Sequence, residues 1–107
     1  MINARRQNPR IQSVNEVRIT DAITDLEKRS MTTLELGTGG CLLNSSRPLG
    51  IGRVMVMSIT LEEKPVKAIG KVLYEYPTKE GSISSGVEFI YVDTDDNEAL
   101  TQFVLSS

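Results

Sequence analysis

The chain has 107 residues, 39% hydrophobic and 24% charged, with a net charge of −2, one cysteine and no histidine. This size and balance fit one soluble domain with a single core and exclude extensive disorder. Without histidine the commonest general base, the Ser-His and Cys-His nucleophile pairs and most transition-metal sites are missing, and Cys41 alone makes neither an internal disulfide nor a cysteine cage.

Arg5, Arg6 and Arg10 open the chain with no acid among the first ten residues. Arg6-Gln7-Asn8-Pro9-Arg10 sets two guanidinium groups four residues apart, in a segment too short and too proline-marked to be the interior of a strand. A guanidinium is a planar fork that gives two parallel hydrogen bonds, either to phosphate oxygens or to the O6 and N7 edge of guanine. Two such forks can hold one nucleotide by both ends. Residues 1–12 therefore read as an arginine-rich ligand-binding segment ahead of a domain over 13–107.

Between Gln12 and Leu26, Val17, Ile19 and Ile23 share one parity while Glu16, Arg18 and Thr20 take the other, the alternation of a half-buried strand. The charged run Asp25 to Ser30 breaks it, and Met31 to Leu36 resumes it, so the two segments suit a hairpin. Gly37-Thr38-Gly39-Gly40 follows. Three glycines in four positions demand either left-handed backbone angles or a close approach to another group.

Cys41 to Leu43 is a short apolar segment, and Asn44 to Gly52 has the composition of a loop. A strand is expected to start near Arg53 and run from Val54 to Leu61, with Met55, Met57, Ile59 and Leu61 on its core face. Glu62 to Pro65 reads as a turn. Val66, Ala68, Val72 and Tyr74 then share a face opposite Lys67 and Lys71, Pro77 to Ser82 makes the next turn, and Ser84 to Val92 groups Val87, Phe89 and Tyr91 opposite Glu88. The period changes in the tail: Asp95 and Glu98 have capping-box spacing, and Leu100, Phe103 and Val104 recur at helical intervals. The expectation is a mainly all-β fold, a six-stranded antiparallel barrel with a short C-terminal helix, since closure removes exposed sheet edges.

Charge is distributed unevenly. No basic residue occurs after Lys79, whereas Glu80, Glu88, Asp93, Asp95, Asp96 and Glu98 all do. A chain with this net charge and 5% aromatic residues lacks both the broad basic stripe and the stacking groups of a general nucleic-acid binder, so a small anion is expected rather than DNA. No apolar run is long enough to cross a membrane as a helix and none near the start suits a signal peptide, which with a lone cysteine points to the cytoplasm.

The ordered set of features resembles the PilZ domain family: an intact RxxxR at Arg6 to Arg10, a second motif of the form D/NxSxxG at Glu35 to Gly40, the strand sequence Gly86-Val87-Glu88-Phe89, and a helix over Asp95 to Leu105. The likeness covers essentially the whole chain. It implies a PilZ-like barrel and a receptor for cyclic di-GMP, a bacterial second messenger with two guanines and two phosphodiesters, that needs no cofactor and does no catalysis. It also implies that ligand binding changes the surface shown to an effector protein. By position Arg6 and Arg10 would grip phosphate and guanine, Arg5 would add a third guanidinium, and Glu35, Gly37, Thr38 and Gly40 would form the barrel side of the site. Here the second motif departs from the pattern, because Glu35 stands for Asp or Asn, Gly37 stands for the serine, and Gly40 alone is retained. These departures leave an alternative in which the chain is a PilZ-like interaction module that no longer takes the ligand.

Overall fold

Side chains alternate between core and solvent along most of the chain, and the computed structural model, which describes residues 9–21 and 31–106, turns that alternation into strands. In chain order these are β1 (Arg10–Gln12), β2 (Glu16–Ile19), β3 (Met31–Gly37), β4 (Gly40–Ser45), β5 (Val54–Leu61), β6 (Lys64–Pro77) and β7 (Ile83–Tyr91), followed by helix α1 (Thr94–Leu105). All pairings are antiparallel. The order β3-β2-β5-β6-β7-β4 closes on itself through a β3–β4 pairing, giving the expected six-stranded barrel, and β1 pairs with the same edge of β3 as β2, end to end with it and opposite β4.

The core is the inward row of each strand. Val17 and Ile19 of β2, Met55, Met57, Ile59 and Leu61 of β5, and Val66, Ala68 and Val72 of β6 are buried as their parity requires. Leu100 and Val104 of α1 enter the same core, with Ala99 and Phe103 partly buried against it. Among the described residues no helix is long and apolar enough to cross a membrane.

Several boundaries differ from the expectation. The strand anticipated from Gln12 to Leu26 is interrupted at Ser13 to Asn15 and stops at Ile19, while Ile23 and the run Asp25 to Ser30 lie outside the described residues. A buried polar knot explains the interruption. The Thr33 hydroxyl donates to the Ser13 carbonyl at 2.5 Å and accepts from the Asn15 N–H at 2.9 Å, and the Asn15 amide donates to the Thr60 carbonyl at 3.3 Å. These side-chain bonds add to two backbone bonds, Ser13 N–H to the Leu34 carbonyl and Thr33 N–H to the Asn15 carbonyl, and hold the irregular stretch that leads from β1 into β2. Asn44 and Ser45, expected in a loop, are in β4 because Ser84 and Ile83 of β7 pair with them. The helix is capped at Asp93 rather than Asp95, without a side-chain capping bond; the Asp93 carboxylate instead accepts from the Tyr91 hydroxyl at 2.7 Å.

Tyr74 and Tyr91 were expected on core faces, and neither is there. Leu73 is an extra residue between the pairs Val72↔Val87 and Tyr74↔Gly86, and Ile90 is an extra residue between Gly70↔Phe89 and Ile69↔Tyr91. Each bulge shifts the parity by one, so both tyrosines point outward.

The β5–β6 turn has two residues, Glu62 and Glu63, with φ of 48° and 75°. Two positive φ values in a two-residue hairpin mark a primed turn that favours Asn-Gly. Replacing the pair with Asn-Gly is expected to raise stability by about 1–2 kcal/mol, read as a higher denaturant midpoint with unchanged slope.

Cys41 lies in the core, and burial pushes its thiol up to about 12, with the nearby Arg10 charge opposing that shift. The reactive thiolate is therefore scarce at neutral pH. Native protein is expected to resist a chromogenic thiol reagent at pH 8 that labels it promptly in denaturant; equal rates in the two states would contradict the burial.

Candidate functional site

The outward face where β1, β3, β4 and β7 lie side by side brings the expected site residues together. In β1, Arg10 and Gln12 point out while Ile11 packs toward the core, and the register pairs Arg10 with Gly37 and Gln12 with Glu35. The end of the first motif is thus laid on the start of the second. Arg5 and Arg6 lie outside the described residues.

Glu35 faces outward because of a bulge. Thr33 pairs with Leu43 and Glu35 with Leu42, leaving Leu34 as the extra residue; strict alternation from the buried Thr33 would have sent Glu35 into the barrel. The Arg10 Nη1 and Glu35 Oε1 atoms are 3.6 Å apart, with the side chains 36% and 39% exposed. A pair this open contributes little to stability, about 0–1 kcal/mol. Its effect is to orient the guanidinium along the face and to neutralise part of its charge.

At Gly37 and Gly40 the glycine-rich turn is explained by close approach, since neither has a positive φ. A Cβ at Gly37 would lie 2.7 Å from the Pro9 carbonyl oxygen and 2.9 Å from Cγ of Arg10. Gly37 is therefore the residue that lets β1 sit on β3. A Cβ at Gly40 would fall on the Val87 carbonyl oxygen, so Gly40 lets β4 close against β7. Thr38 is half-buried in the turn, and the neighbouring Gly39 carbonyl accepts the Phe89 N–H at 2.9 Å.

Cross-strand register shows what else shares this face. One row runs Gln12, Glu35, Leu42, Gly86, Tyr74; the next runs Arg10, Gly37, then past the turn Gly40, Glu88, Lys71. Leu42, Lys71, Tyr74, Gly86 and Glu88 were not expected at the site. Lys71, Gly86 and Glu88 were legible as outward by their parity, but which strands would be neighbours was not. Among the described residues the face offers two cations, Arg10 and Lys71, and two carboxylates, Glu35 and Glu88, so it is suited to a ligand that has hydrogen-bonding edges as well as negative charge.

The family model for the PilZ domain matches residues 4–106. Among solved structures the chain is similar to the Bacillus subtilis inhibitor of motility MotI/DgrA, with 21% identity and a TM-score of 0.81 over 95% of this chain and 50% of that one. It is also similar to Escherichia coli YcgR in complex with c-di-GMP, at 14% identity and a TM-score of 0.74 over 95% and 45% of the two chains. The PilZ domain of the same protein with c-di-GMP gives 12% identity and a TM-score of 0.70 over 95% and 90%. The chain spans about half the length of the first two of these proteins. None of the curated proteins matches the sequence.

Proposed function

We propose, from the premise that this chain belongs to the PilZ domain family, that it is a receptor for cyclic di-GMP which regulates an effector protein rather than catalysing a reaction. The observation that carries this is the pairing of Arg10 with Gly37 and of Gln12 with Glu35, which joins the arginine motif to the barrel motif on one open face. Arg10 gives the ligand a phosphate or a guanine edge to bind, with Arg6 and Arg5 as the further guanidinium groups, and Glu35, Gly37, Thr38 and Gly40 form the barrel side. Cyclic di-GMP bound in structures with this fold supports the choice of ligand.

The proposed output follows from the same geometry. Among the described residues strand β1 is held by three pairings with β3, by Ile11 against the core and by an exposed ion pair, a short attachment that a ligand binding at Arg10 would rearrange together with the arginine segment. A partner that reads this surface would sense the change.

A second reading is favoured by Glu35. Its carboxylate already occupies Arg10 and adds negative charge where a phosphodiester would sit, as suits an interaction module that takes no ligand. Calorimetric titration with cyclic di-GMP decides between them: saturable heat that is lost in Arg6→Ala and Arg10→Ala variants supports the receptor, and absence of heat from the wild-type protein supports the module.

A further inference from the structure

We infer that Tyr74 is a base-stacking platform of the ligand face, receiving a purine of the dinucleotide whose phosphate or other base is held at Arg10; this rests on the receptor reading above. The Leu73 bulge takes Tyr74 out of the core row and pairs it with Gly86, an outward position of β7. The ring lies across that glycine, where a Cβ would fall on its Cζ and Cε2 atoms. Tyr76, two residues on, stacks beside it with planes 9° apart and centroids separated by 6.2 Å. The Tyr74 ring is therefore seated by Gly86 and steadied by Tyr76, yet the residue remains 47% exposed.

Its place in the sheet ties this ring to the arginine. Half-buried Leu42 lies between Glu35 and Gly86 in the same cross-strand row, so the face passes from an ion pair through an aliphatic patch to an aromatic ring. From β1 to β7 there are three strand spacings, about 14 Å. Charge at one end and an aromatic surface at the other suit a molecule that carries phosphate and flat bases together, which a protein partner has no need to do. An exposed ring held in place beforehand also loses little rotamer freedom when a base settles on it. Stacking tolerates the lengthened Glu35 side chain and the missing serine hydroxyl, because it depends on neither.

The test uses Tyr74→Ala, Tyr74→Phe and Tyr91→Ala, titrated with cyclic di-GMP by calorimetry. Stacking predicts an affinity about 5- to 150-fold weaker for Tyr74→Ala, near wild type for Tyr74→Phe, and unchanged for Tyr91→Ala. Gly86→Ala, which displaces the ring without deleting it, is expected to weaken binding as well. Because the chain has no tryptophan, Tyr74→Trp adds a single emitter. Its emission is expected to shift and quench on ligand addition, with a midpoint matching the calorimetric one. Wild-type affinity in Tyr74→Ala, or unaltered Trp emission at saturation, overturns the platform, and if Arg10→Ala still abolishes binding the receptor stands without it. A wild-type protein that takes up no cyclic di-GMP overturns both.

Discussion

Replacing Arg10 with alanine is expected to weaken cyclic di-GMP binding by about two to four orders of magnitude while leaving the fold intact. The guanidinium gives a phosphodiester or a guanine edge two charge-assisted hydrogen bonds at about 1.5–3 kcal/mol each, and both are lost together. What the same side chain contributes to folding is small, because its partner is the half-exposed Glu35 carboxylate at 3.6 Å. Binding and stability should therefore separate cleanly in this variant. Calorimetry reads the first and a thermal melt the second. A loss of affinity below about tenfold would mean that the guanidinium does not touch the ligand, and a large fall in melting temperature would mean that Arg10 anchors β1 more than its ion pair accounts for.

Gly40→Ala is expected to be among the most destabilising single changes available, at about 3 kcal/mol or more, or a melting temperature lower by about 12 °C or more. The added methyl would fall on the Val87 carbonyl oxygen and within 3.3 Å of Cα of Glu88, both backbone atoms of a strand paired along its length with β4. No rotamer relieves that contact, so the two strands would have to separate where the barrel closes. The other glycines of the face differ in what they meet. At Gly37 the obstacle is β1, a three-residue strand with one neighbour, and at Gly86 it is the Tyr74 ring, which can swing aside. The expected order of destabilisation is therefore Gly40 above Gly37 above Gly86, measured by denaturant titration of the three alanine variants. A Gly40→Ala protein as stable as the wild type would show that β4 and β7 are not closed in this register.

Much of the barrel is legible in the sequence because burial has a period of two in a strand. Met55, Met57, Ile59 and Leu61 announced β5 by themselves, and all four are buried. Leu100 and Val104 likewise marked the inward side of the terminal helix. The errors fall where a local rule was broken by a partner distant in sequence. Ser13 to Asn15 leave the strand because Thr33 and Thr60 bind them, and Asn44 and Ser45 join one because β7 runs alongside.

The candidate site divides in the same way. The motif Arg6 to Arg10 and the departures at Glu35 and Gly37 are properties of the residues themselves, and they were enough to suggest a family, a ligand and a reason for caution about the second motif. The juxtaposition of Arg10 with Glu35, the outward turn of Glu35 at the Leu34 bulge, and the seating of Tyr74 on Gly86 are not such properties. A bulge moves every later side chain to the other face, and nothing local in the strand announces it. By itself the sequence determined which residues are apolar, which are charged and where the chain must turn. Only the tertiary structure decided which strands are neighbours, and so whether an arginine, a glutamate and a tyrosine from three separate strands meet on one face.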